Sequence, residues 1–234
     1  MNSRVFWSHR TAIGLAVGLG LMLATPVASA DPRVAPIGSQ PGGSSYAEWG
    51  AQWWQWALGT PASSNPLAGA DCDGGQEGKV WFLAGVLTAG EDQRTCSVPT
   101  GTALFFPVIN KAWVSFLSDP AAERTEAFVR SHAVCEAGEV SATIDGVPVA
   151  DVKRYYASAD ESPLFDVQLP ADNILGATEA DIPQLLLSPS AHSGYYLFVH
   201  PLRPGTHTLE WHGHGLCGDQ DVSYEIEVVP RGRL

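Results

Sequence analysis

The chain has 234 residues, 45% of them hydrophobic and 16% charged, with 25 acidic side chains against 13 Lys and Arg and a formal net charge of −12. So large an acidic excess argues against nucleic acid or an anionic membrane as a partner, because both need a cationic face. The apolar content excludes disorder for most of the chain.

The first ten residues carry Arg4 and Arg10 and no acid. Residues 12–24 are apolar apart from glycines, Pro26 breaks the run, and Ala28-Ser29-Ala30 offers a small-x-small site. These are the three regions of a cleavable export signal, expected to span residues 1–30. The apolar run is shorter than the roughly 20 residues a membrane span needs. No Cys follows the cleavage site, which argues against a lipid anchor, and no Arg-Arg pair marks a folded export route. The remainder then keeps 11 basic against 25 acidic residues, a net charge of −14. A secreted or periplasmic location follows, with no membrane span in the mature chain.

Residues 31–45 hold several prolines and glycines and no apolar period, so they read as a flexible segment. The domain is expected over 46–234. Tyr46, Trp49, Trp53 and Trp56 recur at 3, 4 and 3, which places four rings on one helical stripe with Trp54 on its flank. Ser44 or Ser45 can cap that helix, and Gly59 with Pro61 stops it. A loop rich in Pro, Gly and Asn leads to residues 80–87, a short apolar run expected as a buried strand. Residues 94–98 and 103–109 follow as strands, with Pro107 pointing to an edge or bulge. Ser118-Asp119-Pro120 opens a helix expected to carry Phe128, His132 and Cys135 and to end at Gly138. Val140, Ala142 and Ile144 alternate with polar residues, and Asp145-Gly146 is a hairpin turn into residues 147–149. Residues 164–169 alternate again, 181–187 read as a short helix, and 194–200, 206–212 and 222–229 as strands. Many short strands with two helices that do not alternate with them predict a mainly β fold: one antiparallel β-sandwich, jelly-roll or immunoglobulin-like, with one or two flanking helices.

Cys72, Cys96, Cys135 and Cys217 form an even set in an exported chain and read as two disulfides. Three pairings are open. Cys72–Cys96 with Cys135–Cys217 is favoured, because the first pair flanks a hairpin and closes the shorter loop. The absence of C-x-x-C spacing weighs against a metal site on these thiols.

Several motifs together resemble a family of uncharacterised secreted microbial proteins with no established activity. They are Tyr46-x-x-Trp49 with Trp53-x-x-Trp56, Pro61-x-x-x-Asn65-Pro66, Cys72 and Val80-Trp81-Phe82-Leu83-Ala84-Gly85. Further along, Arg94-Thr95-Cys96-Ser97-Val98-Pro99-Thr100-Gly101, Leu104-Phe105-Phe106-Pro107, Gly194-Tyr195-Tyr196-Leu197-Phe198 and Pro201-Leu202-x-Pro204-Gly205-x-His207 belong to the same pattern. The resemblance covers nearly the whole mature chain. It implies a single domain and supports the Cys72–Cys96 pairing, since both residues sit inside the shared motifs.

Among candidate sites, Glu210-x-His212-x-His214 stacks a carboxylate and two imidazoles on one side of a strand. Carboxylate and imidazole suit a transition metal such as copper or zinc, with His200 or His192 as a further ligand. The competing and favoured reading is a polar, solvent-facing strand. His207, on the face of Leu209 and Trp211, reads as a half-buried, hydrogen-bonded residue. The tryptophan helix reads as core, leaving Trp54 as the candidate for an exposed, sugar-stacking ring. Asp71, Asp73 and Glu77 do not reproduce a calcium loop, and Asp160, Glu161 and Asp166 fix no acid/base geometry. No G-x-S-x-G, H-E-x-x-H, phosphate loop or G-x-G-x-x-G is present, and Ser193 beside His192 is not a triad. The expected function is therefore a binding or structural protein of the cell exterior, with a small-molecule or polysaccharide ligand. A metal-dependent enzyme stands second and a carbohydrate-binding protein third.

Overall fold

The computed structural model describes residues 33–87 and 90–232; the expected export signal lies outside them. Part of the segment expected to be flexible is packed. Val34 bridges to Val199, the Ala35 N–H donates to Phe198 O at 2.9 Å, and both side chains are buried. An apolar pair, Val34-Ala35, sits among the prolines and glycines and finds a strand edge to lie on.

Helix α1 (Tyr46–Gly59) starts at a capping box. Glu48 N–H donates to Ser45 Oγ at 3.2 Å, and Ser45 N–H to Glu48 Oε2 at 2.7 Å, which satisfies two of the free N–H groups of the first turn. Tyr46, Trp49, Trp53 and Trp56 are all buried, as the stripe predicts. The helix is apolar beyond that stripe because it is covered on a second side. Ala51 and Leu58 join a separate cluster with Phe165, Val167, Leu169, Ile182 and Leu187.

The strands then run β1 (Val80–Phe82), β2 (Gly90–Pro99) and β3 (Ala103–Phe116). Helix α2 (Glu126–His132) follows, then β4 (Ala137–Ile144), β5 (Val147–Pro148), β6 (Tyr156–Ala157), β7 (Phe165–Gln168), β8 (Leu186–Val199), β9 (Gly205–Gly215) and β10 (Gly218–Val229). They form two five-stranded sheets, one ordered β1-β3-β8-β6 with β7 also on β8, the other β2-β10-β9-β4-β5. The fold is mainly β and sandwich-like, but not wholly antiparallel: β1 runs parallel to β3, and β2 parallel to β10. Each of those pairs joins strands separated by a long crossover, which local alternation cannot reveal.

The layers are α1, the β3–β8 sheet and the β9–β10 sheet. Phe105 meets Trp49 and Tyr46 on the helix side, while Phe106 stacks on Trp211 of the other sheet at 4.4 Å. Both faces of β3 are thus covered, which is why residues 103–109 are a continuous apolar run. Pro107 falls beyond the end of the β1 pairing and at a bulge against β8, where no ladder needs its missing N–H. The Asp145-Gly146 turn forms as expected, with φ of 52° and 71°.

Two elements differ from expectation. The helix expected over 118–138 is a 3-10 turn, Ala121–Arg124, followed by the short α2. Cys135 lies past its end, bonded to Cys217. The expected helix at 181–187 is only a 3-10 turn, Pro183–Leu185, before β8 begins at Leu186. Both disulfides have the favoured pairing. Cys72–Cys96 ties the loop after α1 to β2, and Cys135–Cys217 ties the approach to β4 to the β9–β10 turn.

Candidate binding groove

The residues proposed as metal ligands do not converge. Glu210, His212 and His214 share the outer face of β9, as their spacing requires, but each turns to a different neighbour. Glu210 accepts from Thr143 Oγ1 at 3.1 Å, His212 Nδ1 lies 2.8 Å from Asp221 Oδ1, and His214 Nδ1 lies 3.5 Å from Asp219. His200 closes β8 in the other sheet, exposed, its N–H donating to Arg33 O. Among the described residues no group of three or more His, Cys, Asp or Glu side chains is placed to hold a metal ion. The register explains this. Each outward position on β9 faces the outward positions of β10 and β4 directly, so the polar side chains pair across strands in separate rows. One such row, Ser141, His212, Asp221 and Glu91, edges a depression of about 370 Å³.

His192 is buried under α1. Its Nε2–H donates to Ala47 O at 2.7 Å, and its Nδ1 accepts from the Tyr196 hydroxyl at 2.9 Å. Burial pushes this imidazole down to about 4, against a smaller opposing effect of the Ala47 hydrogen bond. It is a neutral linker between helix and sheet, with no nitrogen left for a metal. His207, half-buried, is held by Asp145 at 3.0 Å and Arg203 O at 2.9 Å. Trp54 is not the exposed ring expected of it. It is half-buried, packed against both hydrophobic clusters and edge-on to Trp53 at 5.1 Å, because the second apolar side of α1 covers much of it.

A concavity larger than the depression on β9 and β10 lies on the other flank of α1. A groove of about 630 Å³ is bounded on the helix by Trp49, Gln52, Gln55 and Trp56 and on the opposite wall by Gly75, Glu77, Lys79 and Phe82. The aromatic groups have their polar atoms engaged elsewhere: Trp49 Nε1 donates to Pro41 O at 2.7 Å and Trp56 Nε1 to Gly74 O at 2.9 Å. What they offer the groove is carbon.

The opposite wall is built from a loop held at several points. Gln76 brackets β1, accepting from Phe82 N–H at 2.9 Å and donating to Phe82 O at 2.8 Å and Cys72 O at 3.0 Å. Cys72 is tied to Cys96. Asn65, fully buried, closes the helix end by donating to Ala57 O and Thr60 O at 2.8 and 2.9 Å. Glu77 and Lys79 stand exposed at the rim, and their side chains make no hydrogen bond or ion pair among the described residues, although Lys79 O accepts from Ala103 N–H at 2.9 Å. Gln52 and Gln55 were missed by sequence reading. The available signal was a pair of amides, three residues apart, interrupting a tryptophan-rich helix.

The site is thus a concave, mixed aromatic and polar groove on a two-sheet, sandwich-like β protein. No family model matches the sequence, and no curated protein does. Among solved structures, a chain of the complex of PbICP-C with falcipain-2 matches 65% of this chain and 100% of that one, at 8% identity and a TM-score of 0.25. Amebosin matches 60% of this chain and 100% of its own, at 9% identity and a TM-score of 0.20. Likeness at that level carries no argument about fold or function.

Proposed function

We propose that this is an exported, disulfide-stapled binding protein of the cell exterior, and that the groove along α1 is its ligand site. One observation carries the reading. Three aromatic side chains whose polar atoms are engaged elsewhere or lacking, Trp49, Trp56 and Phe82, line the same concavity as two charged side chains without partners among the described residues, Glu77 and Lys79. Apolar lining with a few unengaged polar groups is the ordinary composition of a ligand pocket, and about 630 Å³ falls within the usual range of roughly 300–1,000 Å³. Binding fits better than catalysis because, among the described lining residues, Glu77 is the one carboxylate, with no imidazole or second carboxylate beside it, and the Thr60 hydroxyl donates to Trp56 O at 2.8 Å. Export is supported by the leader's composition and by two disulfides, which persist in oxidising compartments.

The test has two parts. Protein recovered from outside the cytoplasm should begin at Asp31 and carry no free thiol. A fragment screen by NMR should then place its hits on the indole N–H signals of Trp49 and Trp56. An N-terminus retaining the leader would remove the export half, and hits elsewhere would remove the groove.

A further inference from the structure

Resting on that reading of the groove, we infer that its ligand is a neutral oligosaccharide. Glu77 and Lys79 stand two residues apart on one wall, and among the described residues no other charged group lines the groove. An anion would meet Lys79 but face Glu77, and a cation the reverse. A ligand with no net charge and many hydroxyls can satisfy both, donating to the carboxylate and accepting from the ammonium. Hydrogen bonds to charged partners are the stronger kind.

The second step concerns the floor. A pyranose ring carries apolar C–H surface on its faces and hydroxyls around its edge. Phe82, half-buried, and the small exposed parts of Trp49 and Trp56, 9% and 7% of each residue, form a narrow apolar strip, with Trp56 and Phe82 centroids 5.6 Å apart and Trp49 and Phe82 6.2 Å apart. Around it, the Gln55 amide N–H₂ donates to Asp166 O at 3.0 Å, which leaves its carbonyl oxygen as an acceptor. Gln52, weakly held at 3.5 Å from Ser44 Oγ, supplies another amide. An apolar centre ringed by amide, carboxylate and ammonium groups matches the distribution of carbon and hydroxyl on a sugar, whose hydroxyls must keep partners when they leave water.

The third step removes the main rival, an extended peptide. β1 is the edge strand beside the groove, and peptides commonly bind such an edge by adding a strand. Here the edge is closed: both the N–H and the C=O of Phe82 are taken by the Gln76 amide. Gln76 would have to leave, breaking three hydrogen bonds, before a strand could pair there.

The experiment titrates the full mature protein with four neutral oligosaccharide series, built from β-1,4-glucose, β-1,4-N-acetylglucosamine, β-1,4-xylose and α-1,4-glucose. A matched set of small non-sugar aromatic fragments is run beside them. The readout is the indole N–H signals of Trp49 and Trp56, repeated with Glu77→Gln and Lys79→Met, both exposed enough to leave folding intact. At least one sugar series should saturably shift both indole signals, and each substitution should weaken it about tenfold or more. Fragments bound in the groove without any sugar would overturn the saccharide inference and leave the binding reading standing. Neither class bound there would overturn both. Sugars that shift outer-face residues such as Ser141 and Ser223 instead would overturn the inference as well.

Discussion

Gly50 of α1 lies against the imidazole of His192, so closely that a Cβ on Gly50 would come 2.2 Å from His192 Cε1. The ring cannot retreat. It is fully buried, and both nitrogens are hydrogen-bonded, one to the helix and one to Tyr196 of its own strand. This contact sets the height of α1 above the β3–β8 sheet, and through α1 the position of the groove wall that carries Trp49, Gln52 and Trp56.

Gly50→Ala should therefore destabilise the protein, although alanine inside a helix ordinarily gains roughly 1 kcal/mol over glycine. Overpacking against a pinned ring costs about 1–3 kcal/mol, so urea denaturation should show a lower midpoint. A midpoint equal to or above that of the parent would mean that the ring moves freely.

Stability should also fall as the solution is acidified through the range set by His192. Its imidazole lies at about 4 when folded, against 6.5 when exposed. The unfolded chain takes up a proton between those values that the folded chain does not, so the stabilisation is complete above pH 6.5 and is lost as pH falls toward 4. At 1.36 kcal/mol per unit the loss from this residue is about 3 kcal/mol. Denaturation curves across that range should slope downward for the parent, and His192→Asn should be less stable with a shallower slope, the remainder coming from carboxylates held low in the folded chain, such as Asp145 and Asp181. A parallel slope in both proteins would assign the effect to other groups.

The two disulfides should differ in weight. Cys135–Cys217 spans 82 residues and Cys72–Cys96 spans 24. On the chain-entropy account, replacing the longer-range pair by serines should cost about 1 kcal/mol more than replacing the shorter. Because Cys72 anchors the loop that forms the groove wall, loss of the shorter pair should be the one that weakens ligand binding. Thermal unfolding and ligand titration of the two double variants separate these effects.

The outer face of β9 and β10 should behave as a solvated surface. His212 and Asp221 side chains are 33% and 56% exposed, so a double-mutant cycle should give a coupling below about 1 kcal/mol. Copper or zinc should leave the melting midpoint unchanged. A stoichiometric rise that disappears in His212→Ala/His214→Ala would restore the metal reading.

Much of this was legible in the residues and some was not, for physical reasons. Alternation located β4 and β7, Asp145-Gly146 fixed a hairpin, and the spacing of Tyr46, Trp49, Trp53 and Trp56 marked the buried stripe of α1, because those signals are local. The parallel pairings of β1 with β3 and β2 with β10 depend on crossovers that leave no local mark. Trp54 looked available because helical periodicity describes one buried face, whereas α1 has two. Strand periodicity puts His212 and His214 on one side, which allowed a chelate beside the favoured reading of a solvated strand; it says nothing of Asp221 and Asp219 on the next strand. The groove needed Gln76, Glu77, Lys79 and Phe82 to be brought opposite α1 by a loop whose path is set by Asn65 and the Cys72–Cys96 bond.

The claim that the α1 groove is the ligand site is tested most directly by a crystal structure of the mature protein soaked with the best-binding oligosaccharide or fragment. The account predicts density between Trp49 and Trp56 on the helix and Glu77 and Lys79 on the facing wall. Density confined to the depression edged by Glu91, Ser141, His212 and Asp221, with the groove occupied by water alone, would contradict it.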